Sequence, residues 1–179
     1  MKKEVKKPKA KSKSKSSPSK QAPAPKTLGE HGLQNYQHPD VFGKWLGYRI
    51  TARDRVKHIV EGELEIRHDH LSPAARVHGG VIAAFFDWMC GAAVFTTMQP
   101  QDFCSTVDLK VNYFRPLELG DVLRARAEVV FRGKRLCTVQ SLLYRGEATE
   151  PAAMATATYN IVSDRGQGPT SPSPARTKS

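Results

Sequence analysis

The stretch that most constrains the fold is residues 81–95, VIAAFFDWMCGAAVF. All of these residues except Asp87 and Gly91 are apolar, so a helix built from them would be apolar on every face and must be buried. Fifteen residues with a charge near the middle are too few for a membrane span, and Pro100 marks the end of the helix. The run therefore predicts one long helix at the centre of a folded domain.

Apolar and polar residues alternate on both sides of this helix, which predicts β-strands. Two strands precede a loop at 68–78 and four follow the helix; their ranges are 48–52, 59–66, 107–113, 122–131, 135–145 and 152–162. The turns between the last four strands are short, so neighbouring strands should be antiparallel. A short helix is expected within 30–46. One curved antiparallel sheet wrapped around one long buried helix is an α+β fold.

Charge divides the chain into a folded domain and two tails. The chain has 28 Lys and Arg against 17 Asp and Glu, but residues 27–163 hold 15 basic and 15 acidic side chains. We therefore predict a disordered Lys-, Pro- and Ser-rich tail at 1–28, a folded domain at 29–163 and a second disordered tail at 164–179. The first tail lacks an apolar signal-peptide core. It is either a polyanion-binding arm or a solvated tail.

The cysteines lack the paired spacing of a disulfide framework or a zinc site; they are Cys90, Cys104 and Cys137. A reducing compartment, taken as the cytoplasm, is the simpler expectation. The run of His68, Asp69 and His70 favours a solvated loop over a metal site, because adjacent residues rarely converge on one ion. These residues thus predict no metal site.

Asp87 is the residue of the helix that most invites a chemical role. An ionised carboxylate in an apolar helix is costly unless it is paired, hydrogen-bonded or functional. A general base and a structural aspartate that bonds a neighbouring loop are both compatible with the position. The position alone leaves these two interpretations open.

The motif His78-Gly79-Gly80 stands at the start of the same helix. Backbone N–H groups there have no partner within the helix, the helix dipole is positive, and glycine lets a ligand approach closely. The motif indicates an oxyanion hole for a carbonyl oxygen, although a Gly-Gly pair also suits a tight turn.

The spacing of these two features predicts a shared site. Gly79 and Asp87 are eight residues apart, which is about 12 Å along a helix. One reacting group needs contacts of roughly 3 Å and cannot touch both. If both act on one substrate they come from two copies of the chain, so we expect a dimer with two shared sites.

The order and spacing of six motifs resemble hotdog-fold acyl-CoA thioesterases of the phenylacetyl-CoA thioesterase-like (PaaI-type) group. The motifs span roughly residues 40–162 and are His78-Gly79-Gly80, Asp87, Thr106-Val107-Asp108, Tyr113-Phe114-Arg115-Pro116, Leu119-Gly120-Asp121 and Gly133-Lys134. The resemblance implies a sheet wrapped around a central helix and a homodimer that often pairs into a tetramer. It also implies hydrolysis of acyl-CoA to free acid and CoA without a metal. No cofactor is expected, since CoA would be part of the substrate.

The resemblance further implies roles for individual residues. The Gly79 N–H polarises the thioester carbonyl, and His78 helps to shape that site. Asp87 of the partner chain activates water or attacks directly, while Thr106 supports the water. Positions expected to contact substrate are Gly80, Ser72, Tyr113, Arg132, Gly133, Lys134 and Arg135. The cations of the 132–135 turn would suit the CoA phosphates; otherwise this turn is an ordinary solvated hairpin.

The chain departs from the family in the loop before the helix. The family often has Asn six residues before the histidine and Gly three residues before it, where this chain has Ser72 and Ala75. Ser72 could donate one hydrogen bond in place of the amide. The departure keeps open a catalytically weak acyl-CoA-binding module. The basic tail keeps open a polyanion-associated regulator.

Overall fold

The structure is a computed structural model that describes residues 40–100 and 102–163. The helices and strands, in chain order, are α1 (Val41–Leu46), β1 (Arg49–Asp54), β2 (Ile59–Glu65), a short 3-10 helix (His68–His70), α2 (Gly79–Phe95), β3 (Asp102–Tyr113), β4 (Val122–Arg132), β5 (Leu136–Arg145) and β6 (Ala153–Ser163). The short helix expected within 30–46 is α1. The tails predicted at 1–28 and 164–179 lie outside the described residues.

The six strands form one sheet in the order β1-β2-β4-β5-β6-β3, and every neighbouring pair is antiparallel. Helix α2 contacts β2, β3, β4, β5 and β6. The prediction of one curved antiparallel sheet around one long helix is confirmed. Because β3 pairs only with β6 within the described part of the chain, it forms an edge of the sheet.

Small residues on the sheet allow α2 to approach closely. The core-facing side of β6 carries Ala153, Ala155 and Ala157, all buried. On β2, a Cβ added to Gly62 would lie 2.7 Å from the Met89 sulfur of α2 and 2.8 Å from the Arg49 carbonyl oxygen. The position therefore accepts no side chain unless the helix and the neighbouring strand β1 move apart.

Helix α2 is not buried on every face, so that expectation is wrong for one strip of its surface. The strip is half-buried and consists of Ala83, Ala84, Asp87, Trp88, Gly91 and Phe95. These positions recur every three or four residues and share one side of the helix. The sheet of a single chain encloses the rest of the helix and leaves this strip partly open.

Strand β3 begins at Asp102, five residues before the predicted start at 107. Its pairing with β6 shifts register between Thr106 and Asp108. Such a bulge interrupts the alternation of side chains, which is why the sequence pattern reveals only the second half of the strand. Within residues 40–100 and 102–163, no helix is long and apolar enough to cross a membrane.

Candidate active site

The N-terminus of α2 presents one uncommitted backbone donor. His78 is the N-cap residue, and its Nδ1 accepts a hydrogen bond from the Gly80 N–H at 2.9 Å. Gly79 is the first helical residue, so its N–H has no acceptor within the helix. No other described residue accepts from it. The Gly79 N–H is therefore available to a ligand, whereas the Gly80 N–H is engaged by His78.

A cavity of about 400 Å³ opens beside Gly79. Tyr113 lies on its wall and donates a hydrogen bond from Oη to the Gly79 carbonyl oxygen at 3.0 Å. Burial raises the pKa of Tyr113, so its hydroxyl remains a donor at neutral pH. Arg76 and Arg115 also line the cavity, and their guanidinium groups pair with Glu118 and Glu150. The structure thus brings Tyr113 to the helix start.

The Asp87 carboxylate is held by two hydroxyl groups. Thr106 Oγ1 donates to Asp87 Oδ1 at 2.8 Å, and Tyr159 Oη lies 2.9 Å from the same oxygen. Tyr159 Oη is also 2.7 Å from the backbone carbonyl oxygen of Asp87. Asp87 is therefore a fixed, half-buried carboxylate rather than a mobile surface charge.

The bulge in β3 explains how Thr106 reaches Asp87. A regular strand would give Thr106 the same orientation as Asp108 and Lys110, which are exposed. Because the register shifts between Thr106 and Asp108, that parity is broken. Thr106 pairs with Tyr159 across the two strands, so both hydroxyl groups converge on one carboxylate oxygen.

Tyr159 is the residue that sequence reasoning missed. It follows three buried alanines at alternate positions of β6 and is itself 3 % exposed. A large aromatic residue with a polar tip usually has a hydrogen-bond partner when buried. A tyrosine at the end of a buried alternating pattern could have indicated a polar partner for Tyr159. That partner, Asp87, lies 72 positions away in the chain.

Two thiols surround the same carboxylate. Burial raises the pKa of Cys90 and of Cys104, to about 12 for Cys104, and the nearby Asp87 charge raises both further. Neither is therefore a thiolate near neutral pH. Among the described residues, no three His, Cys, Asp or Glu side chains are grouped so as to hold a metal ion.

The loop before α2 is a small hairpin. The Ser72 N–H donates to the Arg76 carbonyl oxygen at 2.7 Å, and the Ala75 N–H donates to the Ser72 carbonyl oxygen at 3.0 Å. Ala75 has φ of +56°, a left-handed conformation that glycine adopts more easily. This left-handed backbone conformation explains why the family usually has glycine at the position of Ala75. Ser72 is half-buried and six residues before His78.

The turn at residues 132–135 lies at the opposite end of α2 from Gly79. Arg132 Nε donates to Thr97 Oγ1 at 3.1 Å, and Thr97 follows the C-terminus of the helix. Lys134 and Arg135 are exposed, while Gly133 packs beside Phe131. The 18 residues from Gly79 to Thr97 correspond to about 27 Å along a helix axis. One chain therefore does not bring this turn to its own Gly79.

Asp87 and Gly79 are likewise separated, because both lie on the single continuous helix α2. Their spacing along it is about 12 Å. Within one chain the structure gathers two groups: His78, Gly79, Gly80 and Tyr113 at the helix start, and Asp87, Thr106 and Tyr159 at its middle.

Residues 74–152 match the family model described as Thioesterase superfamily. Over 74 residues the chain is 34% identical to the Caenorhabditis elegans protein named "Putative esterase F42H10.6". That match covers 41% of this chain and 43% of the nematode protein. The chain thus spans less than half the length of this curated relative.

Solved structures share the fold over a longer range. A phenylacetic acid degradation-related protein from Ralstonia eutropha JMP134 is 29% identical, with a TM-score of 0.64, covering 74% of this chain and 98% of that one. A hypothetical thioesterase protein with coenzyme A from Streptococcus pneumoniae TIGR4 is 23% identical, with a TM-score of 0.58. It covers 65% of this chain and 90% of its own and shows likeness of fold alone. With the sheet wrapped around α2, these similarities confirm the predicted hotdog fold and the predicted resemblance to thioesterases, and residues 74–152 carry the match to the thioesterase superfamily.

Proposed function

We propose that this protein hydrolyses acyl-CoA thioesters to free acid and CoA. The observation that carries the proposal is the Asp87 carboxylate, fixed by two hydroxyl groups on an otherwise apolar helix. The uncommitted Gly79 N–H supplies the second requirement, a donor for a carbonyl oxygen that gains negative charge. The match of residues 74–152 to the thioesterase superfamily supports the reaction class. Coenzyme A is the carrier that the resemblance implies.

In the proposed reaction, Asp87 removes a proton from a water molecule that attacks the thioester carbonyl carbon. The carbonyl electrons move onto oxygen, which accepts a hydrogen bond from the Gly79 N–H. The tetrahedral intermediate collapses, the C–S bond breaks, and the CoA sulfur leaves with the electron pair. The proton held by Asp87 passes to that sulfur or to solvent, so the reaction balances without a metal or a cofactor.

We propose that each site is shared by two chains of a homodimer. The helix spacing places Gly79 and Asp87 of one chain too far apart for one thioester. The half-buried strip of α2 offers a contact surface, because Ala83, Ala84 and Gly91 beside Asp87 are small and allow close approach of a second helix. The edge strand β3 adds backbone groups that a second chain could pair.

In each shared site, the cations proposed to bind CoA, Lys134 and Arg135, come from the same chain as Asp87. Thr97, which contacts Arg132, is ten residues beyond Asp87, about 15 Å along the helix direction. The same turn is about 27 Å from Gly79 of its own chain. Exposed Lys134 and Arg135 would meet the CoA phosphates there.

The experiment measures thiol release from short, medium, long and aromatic acyl-CoAs at neutral pH. Asp87→Asn should lower kcat between about 100- and 10,000-fold, because the amide cannot accept the proton. Gly79→Pro should lower kcat by about 100- to 1000-fold, because proline lacks the N–H donor. Proline suits the first helical position, and the extended backbone of His78, with φ −66° and ψ 132°, is compatible with a following proline.

Gly79→Ala is the matched control, because it retains the N–H. A Cβ at this position lies 3.5 Å from Tyr113 Oη, an ordinary contact. Equal loss in the alanine and proline variants would contradict the oxyanion role. Full activity in Asp87→Asn would contradict the proposed reaction as a whole.

The second candidate is a weakly catalytic acyl-CoA-binding module, which the serine at position 72 favours because it lacks the amide of the family's usual residue. Calorimetric titration with a non-hydrolysable thioether analogue of acyl-CoA separates the two candidates. Tight binding without turnover, unchanged by Asp87→Asn, would support the binding module.

A further inference from the structure

The carboxylate oxygens of Asp87 differ in their surroundings. Oδ1 accepts from Thr106 Oγ1 at 2.8 Å and has Tyr159 Oη at 2.9 Å. No hydrogen bond from another described residue reaches Oδ2. The carboxylate therefore has one engaged oxygen and one oxygen available to water or substrate on the half-buried strip of α2.

Tyr159 is more deeply buried than Thr106, the other residue that contacts Oδ1. Its side chain is 3 % exposed, whereas Thr106 is exposed on an edge strand. Its single hydroxyl proton is shared between the backbone carbonyl oxygen of Asp87 at 2.7 Å and Oδ1 at 2.9 Å. The hydroxyl therefore contacts the backbone and the side chain of the same residue. The three buried alanines before Tyr159 let α2 lie close enough for this contact.

Tyr159 remains a donor throughout the physiological pH range. Burial raises its pKa well above the ordinary value. The nearby Cys90, the Asp87 charge and the hydrogen bond to Asp87 raise that pKa further, and the hydrogen bond with Thr106 opposes them. The titratable groups that face Asp87 from the packed elements are Cys90 on α2, Cys104 on β3 and Tyr159 on β6. All three are neutral near pH 7, so none supplies a competing charge.

We propose that Tyr159 is a positioning residue for Asp87: its hydroxyl contacts Oδ1 together with Thr106 and leaves Oδ2 directed toward the reacting water. This inference rests on the proposed function for its catalytic consequence. The hydrogen-bonding claim itself applies to the protein without substrate.

The first test is Tyr159→Phe, which keeps the ring that fills the core and removes the hydroxyl. Tyr159→Phe removes a hydrogen bond to a charged group, and this loss should lower kcat about tenfold. KM should change little, because the substrate does not touch Tyr159. Thr106→Val should likewise lower kcat with little change in KM, because it removes the other donor to Oδ1.

Tyr144→Phe is the matched control, a half-buried tyrosine on the neighbouring strand β5 that makes no contact with Asp87. It should leave kcat and KM unchanged. In an Asp87→Asn background, Tyr159→Phe should change the residual rate no further. A purely structural tyrosine would instead lower both rates alike.

A second measurement needs no turnover. The 13C chemical shift of the Asp87 side-chain carboxyl at neutral pH should differ between Tyr159→Phe and wild type, because Oδ1 has lost a hydrogen-bond donor. An unchanged chemical shift would overturn the inference, even if Asp87→Asn abolishes hydrolysis. A changed chemical shift in a protein without thioesterase activity would uphold the positioning of Asp87 and reject the proposed reaction instead. Should Tyr159→Phe fail to fold, Thr106→Ser and Thr106→Val test the same oxygen.

Discussion

His70 is a titratable side chain enclosed by the fold beside the loop that leads into α2. Its ring is fully buried and meets the edge of Trp45, with the ring centroids 5.6 Å apart. Nδ1 accepts from the Arg67 N–H at 3.3 Å, and Nε2 is buried without a partner among the described residues. The His70 carbonyl oxygen accepts from the His78 N–H at 2.9 Å, which connects this residue to the start of α2.

This environment predicts an acid-sensitive fold. Burial lowers the pKa of His70, the Arg67 cation adds to the effect, and Asp69 opposes it. An unfolded histidine titrates near pH ~6.5. The stability contributed by neutral His70 is therefore complete above that pH and is lost as the pH falls through the lower pKa of the folded state. Chemical denaturation from pH 7.5 to pH 5 should show a falling free energy of unfolding.

His70→Phe should flatten that pH dependence, because the ring contact with Trp45 remains and the titrating group is gone. His68→Asn is the control, since His68 is exposed in the same short helix, and it should preserve the slope. The same slope in wild type and His70→Phe would assign the acid sensitivity to other groups.

At the residue scale, the sequence reveals candidate functional residues when their chemistry is unusual for the local pattern. Asp87 is conspicuous because it interrupts an apolar run, and His78-Gly79-Gly80 because it precedes that run. Tyr159 is not conspicuous, because a tyrosine in an alternating strand is ordinary. Its importance comes from a contact with a residue 72 positions away, which no local pattern contains.

At the element scale, the approach of α2 to β2 depends on Gly62. An added Cβ would meet the flexible Met89 side chain at 2.7 Å and the Arg49 backbone carbonyl at 2.8 Å. We expect Gly62→Ala to lower the free energy of unfolding by about 1–3 kcal/mol, as overpacking does in other cores. Urea denaturation measures the change.

Met89→Ala in the Gly62→Ala chain provides the accompanying test. It removes the clash with the sulfur but leaves the one with the Arg49 carbonyl, so the two substitutions should be less than additive while a net loss remains. Fully additive losses in the free energy of unfolding would show that a side chain at position 62 does not clash with Met89.

The bulge in β3 is a feature that the alternation of apolar and polar residues along the strand does not reveal. Alternation predicts the strand from 107, but the strand begins at Asp102 and changes register after Thr106. Because a bulge depends on pairing with β6 rather than on β3 alone, its position is a property of the two strands together. The Thr106–Asp87 hydrogen bond follows from that pairing.

At the scale of the whole molecule, the shared-site proposal predicts complementation between two inactive variants. A mixed dimer of Asp87→Asn and Gly79→Pro chains has one site with both defects and one intact site. Random exchange makes half of the dimers mixed, so the mixture should recover about a quarter of wild-type activity under two-fold symmetry. Thiol release before and after denaturation and refolding of the mixture measures the recovery.

A mixture of Asp87→Asn chains with Asp87→Ala chains is the control, because every site then lacks the carboxylate. Recovery in this control would indicate contamination. Absence of recovery in the first mixture, with mixed dimers shown by mass spectrometry, would contradict the shared site.

The sequence by itself determined that one long helix lies in an antiparallel sheet, that the chain resembles the hotdog thioesterases, and which residues begin and interrupt the helix. These properties depend on hydrophobic periodicity and on spacing along a single element, where 1.5 Å per residue converts sequence into distance. Only the tertiary structure decided that Tyr159 and Thr106 share one oxygen of Asp87, that one strip of α2 stays half-open, and that the 132–135 turn lies at the far end of α2 from Gly79. Those facts depend on strand register, on a bulge and on how far the sheet wraps the helix, which are set by packing between segments distant in sequence.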